Sequence, residues 1–116
     1  MKEIKTSEYI KKAGGCIVSK NILDGKGKVK WLFREEPVDK ADNGWRILSD
    51  IDTDEFINNP TNLIVCDFNT IANIEPAIIG IYLFPIGSDL QLVSQGGKIT
   101  FVDNKTSKEV TMIYHQ

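Results

Sequence analysis

The heptapeptide "VKWLFRE" at residues 29–35 is the segment that decides the predicted fold. Its residues alternate between apolar and largely basic types, which is typical of a β-strand with two different faces. The pattern predicts that Val29, Trp31 and Phe33 lie on the core face. The opposite face would carry the intervening residues, Lys28, Lys30, Leu32 and Arg34.

The segment that follows predicts a hairpin built on this strand. Residues 35–44, "EEPVDKADNG", must form a loop, since Pro37 cannot pair in a strand and Asn43-Gly44 is a strong turn signal. The next run, "WRILS" (45–49), can then return antiparallel to "VKWLFRE", with Trp45 and Ile47 on the core face.

The remaining elements are predicted from caps, turns and short apolar runs. Thr6 or Ser7 would begin a helix of about two turns that ends at Gly14. A strand at 16–20 and a loop or hairpin tip at 21–28 follow. After the hairpin, Asp52 or Thr53 would cap a short helix over 54–59, with Asp52 and Glu55 at the spacing of a capping box.

The second half of the chain predicts mostly strands. The apolar run 62–68 is a strand that would be fully buried if central. Residues 69–84 are ambiguous, although Pro76 suits the first turn of a helix. Strands are predicted at 90–94, 98–102 and 110–114. The fold class is therefore mainly β (α+β by strict count): a small antiparallel curled sheet or half-barrel of about six to seven short strands with two or three short helices.

Length and composition limit the possible classes of protein. The 116 residues fit one domain, 1–116, and the mixture of 41% hydrophobic and 26% charged residues is ordinary for a soluble globular protein. No apolar run is long enough to span a membrane, and the N-terminus lacks the apolar core of a signal peptide. We therefore expect a cytoplasmic protein.

The scarce thiols and imidazoles argue against metal and nucleophilic chemistry. Cys16 and Cys66 lie in apolar, strand-like runs and are expected to be buried free thiols. The single histidine is His115, near the C-terminus. Zinc would need further ligands, and catalysis by Cys–His or Ser–His–Asp would need a suitably placed histidine. No metal or cofactor is expected.

Charge is distributed unevenly, although the net charge is only −2. Residues 1–34 carry nine basic and three acidic side chains, whereas residues 35–55 carry eight acids against Lys40 and Arg46. A segregation of this kind favours oriented association with a partner.

The acids at 50–55 do not fit a calcium loop or a catalytic pair. Asp50, Asp52 and Asp54 match three EF-hand positions, but Glu55 stands where glycine is needed and Thr61 where a bidentate glutamate is needed. A glycosidase-like pair needs one carboxyl group in a desolvated pocket, and these acids occupy a polar capping segment. A solvated surface is the better interpretation, and no enzymatic activity is expected.

Four segments, in this order, resemble a bacterial domain family of formerly unknown function that is grouped with the immunity proteins of polymorphic toxin systems. They are "CIVSKNIL", "VKWLFREEP", "DNGWRILSD" and "NTIANIEPAIIGIYLFPIGS", and the resemblance spans about residues 15–90. Its most specific parts are the turn at 34–37 and the Gly44-Trp45-Arg46 triplet followed by Ser49. The chain departs from the family at 47–48, where an aromatic pair is common, and at Asp50, where glycine is common.

The resemblance implies a non-enzymatic intracellular protein, expected to be a monomer, that binds and blocks a cognate toxin domain. We expect an acidic surface to face a basic toxin cleft, with Arg34 and Arg46 organising the acids through ion pairs. Trp45 is also a candidate contact, although a role in the core is favoured. The acidic candidates are Glu35, Glu36, Asp50, Asp52, Asp54 and Glu55.

Two alternatives remain open from the sequence. A small β-barrel module could bind nucleic acid or the transcription or translation machinery through Lys26, Lys28 and Lys30 on one strand face, although the pI of 5.4 makes nucleic acid an unfavoured partner. An enzyme acting on small molecules would require a deep pocket with convergent polar groups.

Overall fold

The computed structural model describes residues 7–113. Seven strands form one sheet: β1 (Gly15–Ser19), β2 (Val29–Arg34), β3 (Asp42–Ser49), β4 (Leu63–Asp67), β5 (Asp89–Gln95), β6 (Lys98–Asp103) and β7 (Glu109–Val110). The helical elements are α1 (Lys20–Leu23), α2 (Asp54–Ile57), α3 (Phe68–Ile74) and two 3₁₀ segments, Pro60–Asn62 and Pro76–Ile81. The prediction of a mainly β domain is confirmed.

The sheet is open and has the order β4-β1-β3-β2-β5-β6-β7. The predicted β2–β3 hairpin is present and antiparallel, and β2 pairs on its other side with β5. One pairing differs from the prediction, because β1 lies parallel to β3. β1 and β2 run in opposite directions and occupy opposite sides of β3, so the sheet is mixed and not purely antiparallel.

The hydrophobic core lies between one face of the sheet and the segment formed by α3 and the 3₁₀ turn that follows it. Trp45 and Ile47 are fully buried there, as the hairpin pattern predicted. The ring of Phe68 in α3 meets that of Tyr82 edge-on, with centroids 4.9 Å apart. Pro76 occupies the first turn of its 3₁₀ segment, in agreement with its predicted position.

The predicted phase of β2 is correct at Val29, which is buried in the core, but wrong from Trp31 onward. A bulge between Val29 and Trp31 shifts the register against β3, so that Leu32 pairs with Ile47 and is fully buried. Trp31 is instead 39% exposed and Phe33 is only partly buried. The alternation is real, but the bulge inserts one residue and assigns the two aromatic side chains to the other face.

The predicted N-terminal helix is absent from the described residues 7–14, and Thr6 lies outside them. The amide groups of Tyr9 and Ile10 donate to the side-chain oxygen of Asn69 in α3, and Asn69 donates back to the Ile10 carbonyl. These tertiary hydrogen bonds replace the ones that a helix would have supplied. The last predicted strand is reduced to Glu109–Val110, and Tyr114 lies outside the described residues.

Two other local predictions are partly correct. The loop predicted at 21–28 begins with the single turn of α1, which Ser19 caps by accepting from the amide of Asn21. The strand at 62–68 is present as β4, but it forms an edge of the sheet, and Val65 is 75% exposed.

Candidate partner-binding surface

Arg46 is buried at the centre of an ionic cluster. Its guanidinium donates through Nη1 and Nη2 to both carboxylate oxygens of Asp42, each at 2.8 Å, and through Nε to Glu35 Oε2 at 2.7 Å. Arg46 is 4% exposed and Asp42 10%, whereas Glu35 is 56% exposed. These hydrogen bonds hold the pKa of Asp42 well below its ordinary value and raise that of Arg46.

Each residue of the Gly44-Trp45-Arg46 triplet has its own structural role. Gly44 has a φ of +91°, and a β-carbon there would collide with the backbone oxygen of Glu35. Trp45 fills the core and donates from Nε1 to the carbonyl of Tyr82 at 3.2 Å. Arg46, pointing to the opposite face, neutralises two acids. The triplet therefore closes the hairpin, anchors it and balances its charge.

Arg34 does not organise the acids as predicted. Its Nε donates to the carbonyl of Asn43 at 2.9 Å and its Nη1 to that of Phe84 at 2.8 Å. The guanidinium carbon also lies 5.8 Å from the Trp45 ring. Within residues 7–113 no carboxylate pairs with Arg34. Arg34 therefore links β3 to the loop before β5 through these hydrogen bonds.

Asp52 is a structural acid, and the predicted capping box is not its role. Thr53 is the residue that caps α2, by accepting from the amide of Phe56. Asp52 accepts from the hydroxyls of Ser19 and Ser49, the Ser49 amide and the side-chain amide of Asn21, at 2.6–2.9 Å. Although partial burial opposes ionisation, these donors hold the pKa of Asp52 below its ordinary value.

The candidate acids therefore form two groups at opposite ends of the β2–β3 hairpin. The Glu35 amide donates to Gly44 at the start of β3, whereas the Asp50 amide donates to Lys28 beyond its end. Asp50 Oδ1 accepts from the Lys28 amide as well. Glu36, Asp54 and Glu55 are exposed and have no ion pair within the described part of the chain.

Sequence reasoning missed the second face of the sheet. Paired residues project to the same side, and the pairs Ile17–Arg46, Phe33–Arg46 and Trp31–Leu48 all lie opposite the core. We call this side the open face. Its remaining apolar or neutral members are partly or fully exposed: Ile17, Trp31, Phe33, Leu48, Val65, Gln91, Val93 and Val102.

The open face contains a shallow groove beside α2. Its volume is about 240 Å³, and Glu35 and Arg46 line it together with Ile57 and Asn58 at the end of α2. Apolar walls are supplied by Ile17, Phe33, Leu48 and Leu63. The groove links the ionic cluster to the helix that carries Asp54 and Glu55. Only knowledge of the bulge in β2 would have allowed the open face to be predicted from the sequence.

The lysines of the alternative hypothesis do not line one strand face. Lys26 and Lys28 precede β2, and Lys30 donates from Nζ to the carbonyl of Leu92 at 3.0 Å. The Lys30 ammonium also lies 5.6 Å from the Trp31 ring. The structure therefore does not bring these three cations together on a strand.

The two cysteines are unpaired and lie directly opposite each other on β1 and β4. Cys16 Sγ donates to the Cys66 carbonyl at 3.5 Å, and its hydrogen bonding with Cys66, together with burial, raises the Cys16 pKa. Both thiols border an open cavity of about 580 Å³ between β1, β4 and the loop 38–42. Among residues 7–113 no three acids, cysteines or histidines are grouped as metal ligands, and no helix is long and apolar enough to cross a membrane.

Comparison with known protein families assigns most of the chain. The model of the immunity protein Imm33 domain matches residues 16–103, which include β1 except its first residue, β2 to β6, the ionic cluster and the open face. Comparisons with curated proteins and with solved structures gave no significant match. The match covers far more than half of the 116 residues and agrees with the resemblance found in the sequence. The chain belongs to the Imm33 family of immunity protein domains.

Proposed function

We propose that this chain is a non-enzymatic immunity protein that binds a cognate toxin domain and blocks it by covering a basic surface. The observation that carries this proposal is the set of carboxylates that the fold leaves exposed. Glu36, Asp54 and Glu55 are exposed and unpaired within residues 7–113, and more than half of the Glu35 side chain is exposed to solvent. These charges can act at long range on a basic partner.

The other candidates have supporting parts in this proposal. Asp52 accepts hydrogen bonds at the end of β3 and Arg46 pairs with Asp42 at its start. Trp45 packs that strand against the core. Arg34 fixes the loop next to Glu35. Asp50 is exposed, but its carboxylate also supports the Lys28 amide. The contacting acids are therefore Glu35, Glu36, Asp54 and Glu55.

The test uses candidate toxin domains taken from the genes that flank the gene for this chain in its native genome. Purified toxin domain and immunity protein should form a complex, and co-expression should restore growth to cells that produce the toxin. The association rate should fall steeply with ionic strength, because exposed charges are screened by salt. A toxin domain that neither binds nor is neutralised would refute the proposed function.

A neutralised pair on α2 tests the acidic contribution. We expect the double variant Asp54→Asn, Glu55→Gln to associate about tenfold more slowly at low salt. The matched control is Glu8→Gln, Asp24→Asn, which removes two exposed acids outside the 35–55 segment. If both variants associate at the wild-type rate, the acids do not steer the partner.

A further inference from the structure

The open face has the composition of a binding surface. Trp31 is 39% exposed at the centre of the sheet, where it pairs with Leu48 on one side and Gln91 on the other. Phe33 lies two residues along the same strand and lines the groove with Ile57. A partly exposed tryptophan is the type of residue that supplies much of the free energy in protein interfaces.

The Lys30 ammonium lies 5.6 Å from the Trp31 ring and donates to the Leu92 carbonyl, whereas the charges at the edges of this apolar centre are mainly negative. Glu35 lies in the groove, Asp89 pairs with Phe33, and Glu109 pairs with Val102. Arg46 is occupied by Asp42 and Glu35, and Lys98 lies at the far end of β6. An apolar centre with acids at its edges complements a partner surface with an apolar projection surrounded by Lys and Arg.

We propose that the open face is the docking site for the toxin domain, and that Trp31 is the central contact. The proposal rests on the proposed function and adds the location of the interface and the chemistry of the partner. The end of α2 lines the same groove through Ile57 and Asn58, and the exposed acids Asp54 and Glu55 lie at the start of that helix. A second copy of the chain is a poorer occupant, because its acids would face those of the first.

The two tryptophans allow a direct test without mutation. Trp31 lies on the open face, and Trp45 is fully buried. This chain is labelled with 5-fluorotryptophan, and unlabelled toxin domain is added. We expect the ¹⁹F resonance of Trp31, assigned with Trp31→Phe, to shift and to lose its exposure to solvent, whereas that of Trp45 stays in place.

A substitution with a matched control gives the energetic test. Trp31→Glu should weaken toxin binding about thirtyfold or more, the loss expected for a central contact. The control is Ile74→Glu at the end of α3, where a residue that is 50% exposed lies on the covered side of the sheet. It should change binding less than about threefold. Circular dichroism and thermal unfolding verify that both variants are folded.

The outcomes separate the two proposals. The toxin domain could bind without shifting the ¹⁹F resonance of Trp31, and it could bind Trp31→Glu as tightly as the wild type. In that case the docking site is wrong while the proposed function stands. If the wild-type chain does not bind the toxin domain, the proposed function fails and the docking site with it. Self-association that Trp31→Glu abolishes would assign the open face to a second copy and overturn the proposal. If Trp31→Glu does not fold, the fluorine spectra of the wild-type chain decide.

Discussion

The two ends of strand β3 hold carboxylates by different means. At its start, Asp42 is matched by the guanidinium of Arg46, a full positive charge at 2.8 Å. Beyond its end, Asp52 is matched by two hydroxyls, a side-chain amide and a backbone amide, all of them neutral. Both arrangements satisfy the acid, but only the first cancels its charge.

The difference shows that a run of acids in a sequence need not be a surface. Asp42 and Asp52 belong to the acidic segment 35–55, yet each is committed to internal donors. Charged hydrogen bonds are stronger than neutral ones, but a buried ion pair also carries a larger desolvation cost. The two ends should therefore respond differently when a partner is removed.

Removal of Arg46 should have the largest effect. Arg46→Ala leaves Asp42 ionised, 10% exposed and without its cation, and we expect a loss of about 3 kcal/mol in the free energy of unfolding. Urea denaturation measures this loss. Glu35→Gln is the control, because Glu35 is 56% exposed and its pair should contribute about 0.5 kcal/mol. Equal losses in the two variants would contradict the assignment of Asp42 as the principal partner.

Removal of Asp52 should cost less, about 2 kcal/mol, because the donors it leaves behind are uncharged, although Ser19 and Ser49 are fully buried. The same denaturation experiment applied to Asp52→Ala tests this value. Asp54→Asn, two residues away at an exposed position, should change stability by less than about 0.5 kcal/mol. An Asp52→Ala variant as stable as the control would show that the Ser19, Asn21 and Ser49 donors find water without cost.

Low pH should reduce the stability contributed by Asp42 and Asp52 at the two ends of β3, whereas at neutral pH both contributions are complete. The pKa values of Asp42 and Asp52 are lowered in the folded chain, so each contributes stability that is complete above its unfolded pKa of about 4 and is lost as the pH falls below it. Unfolding free energies measured from pH 6 down to pH 2 should decline for the wild type. Asp42→Asn should reduce this slope, and a slope unchanged in both Asp42→Asn and Asp52→Asn would contradict the assignment.

Local signals in the sequence were sufficient for the elements and for part of the core. Although Asn43 and Gly44 lie in strand β3 and not in a turn, Pro37 placed the loop of the hairpin, the phase of "WRILS" buried Trp45 and Ile47, and Thr53 was among the two candidates for the cap of α2. Each of these depends on neighbours within a few residues. Such features are readable because turn chemistry and side-chain periodicity are local properties.

The features that were missed depend on distant partners. The bulge that exposes Trp31 belongs to the pairing of β2 with β3, and nothing in "VKWLFRE" itself reveals it. Asp52 resembled a helix cap until Ser19 and Asn21, more than 30 residues earlier, were brought beside it. The N-terminal segment has helix signals, but Asn69 supplies its hydrogen bonds from a position 59 residues away from Ile10.

The position of the β2–β3 hairpin in the sheet has a consequence for the order of folding. Among the pairings in the middle of the sheet, β2 with β3 has the shortest connecting loop. The free edges of this hairpin are then paired by β1, next to β3, and by β5, next to β2. β1 in turn pairs with β4 through Cys16 and Cys66, which are 50 residues apart. A chain that relies on such distant pairings folds on a scale of about milliseconds to seconds. During that interval the hairpin presents two unpaired edges, and it is then that the protein is most exposed to aggregation.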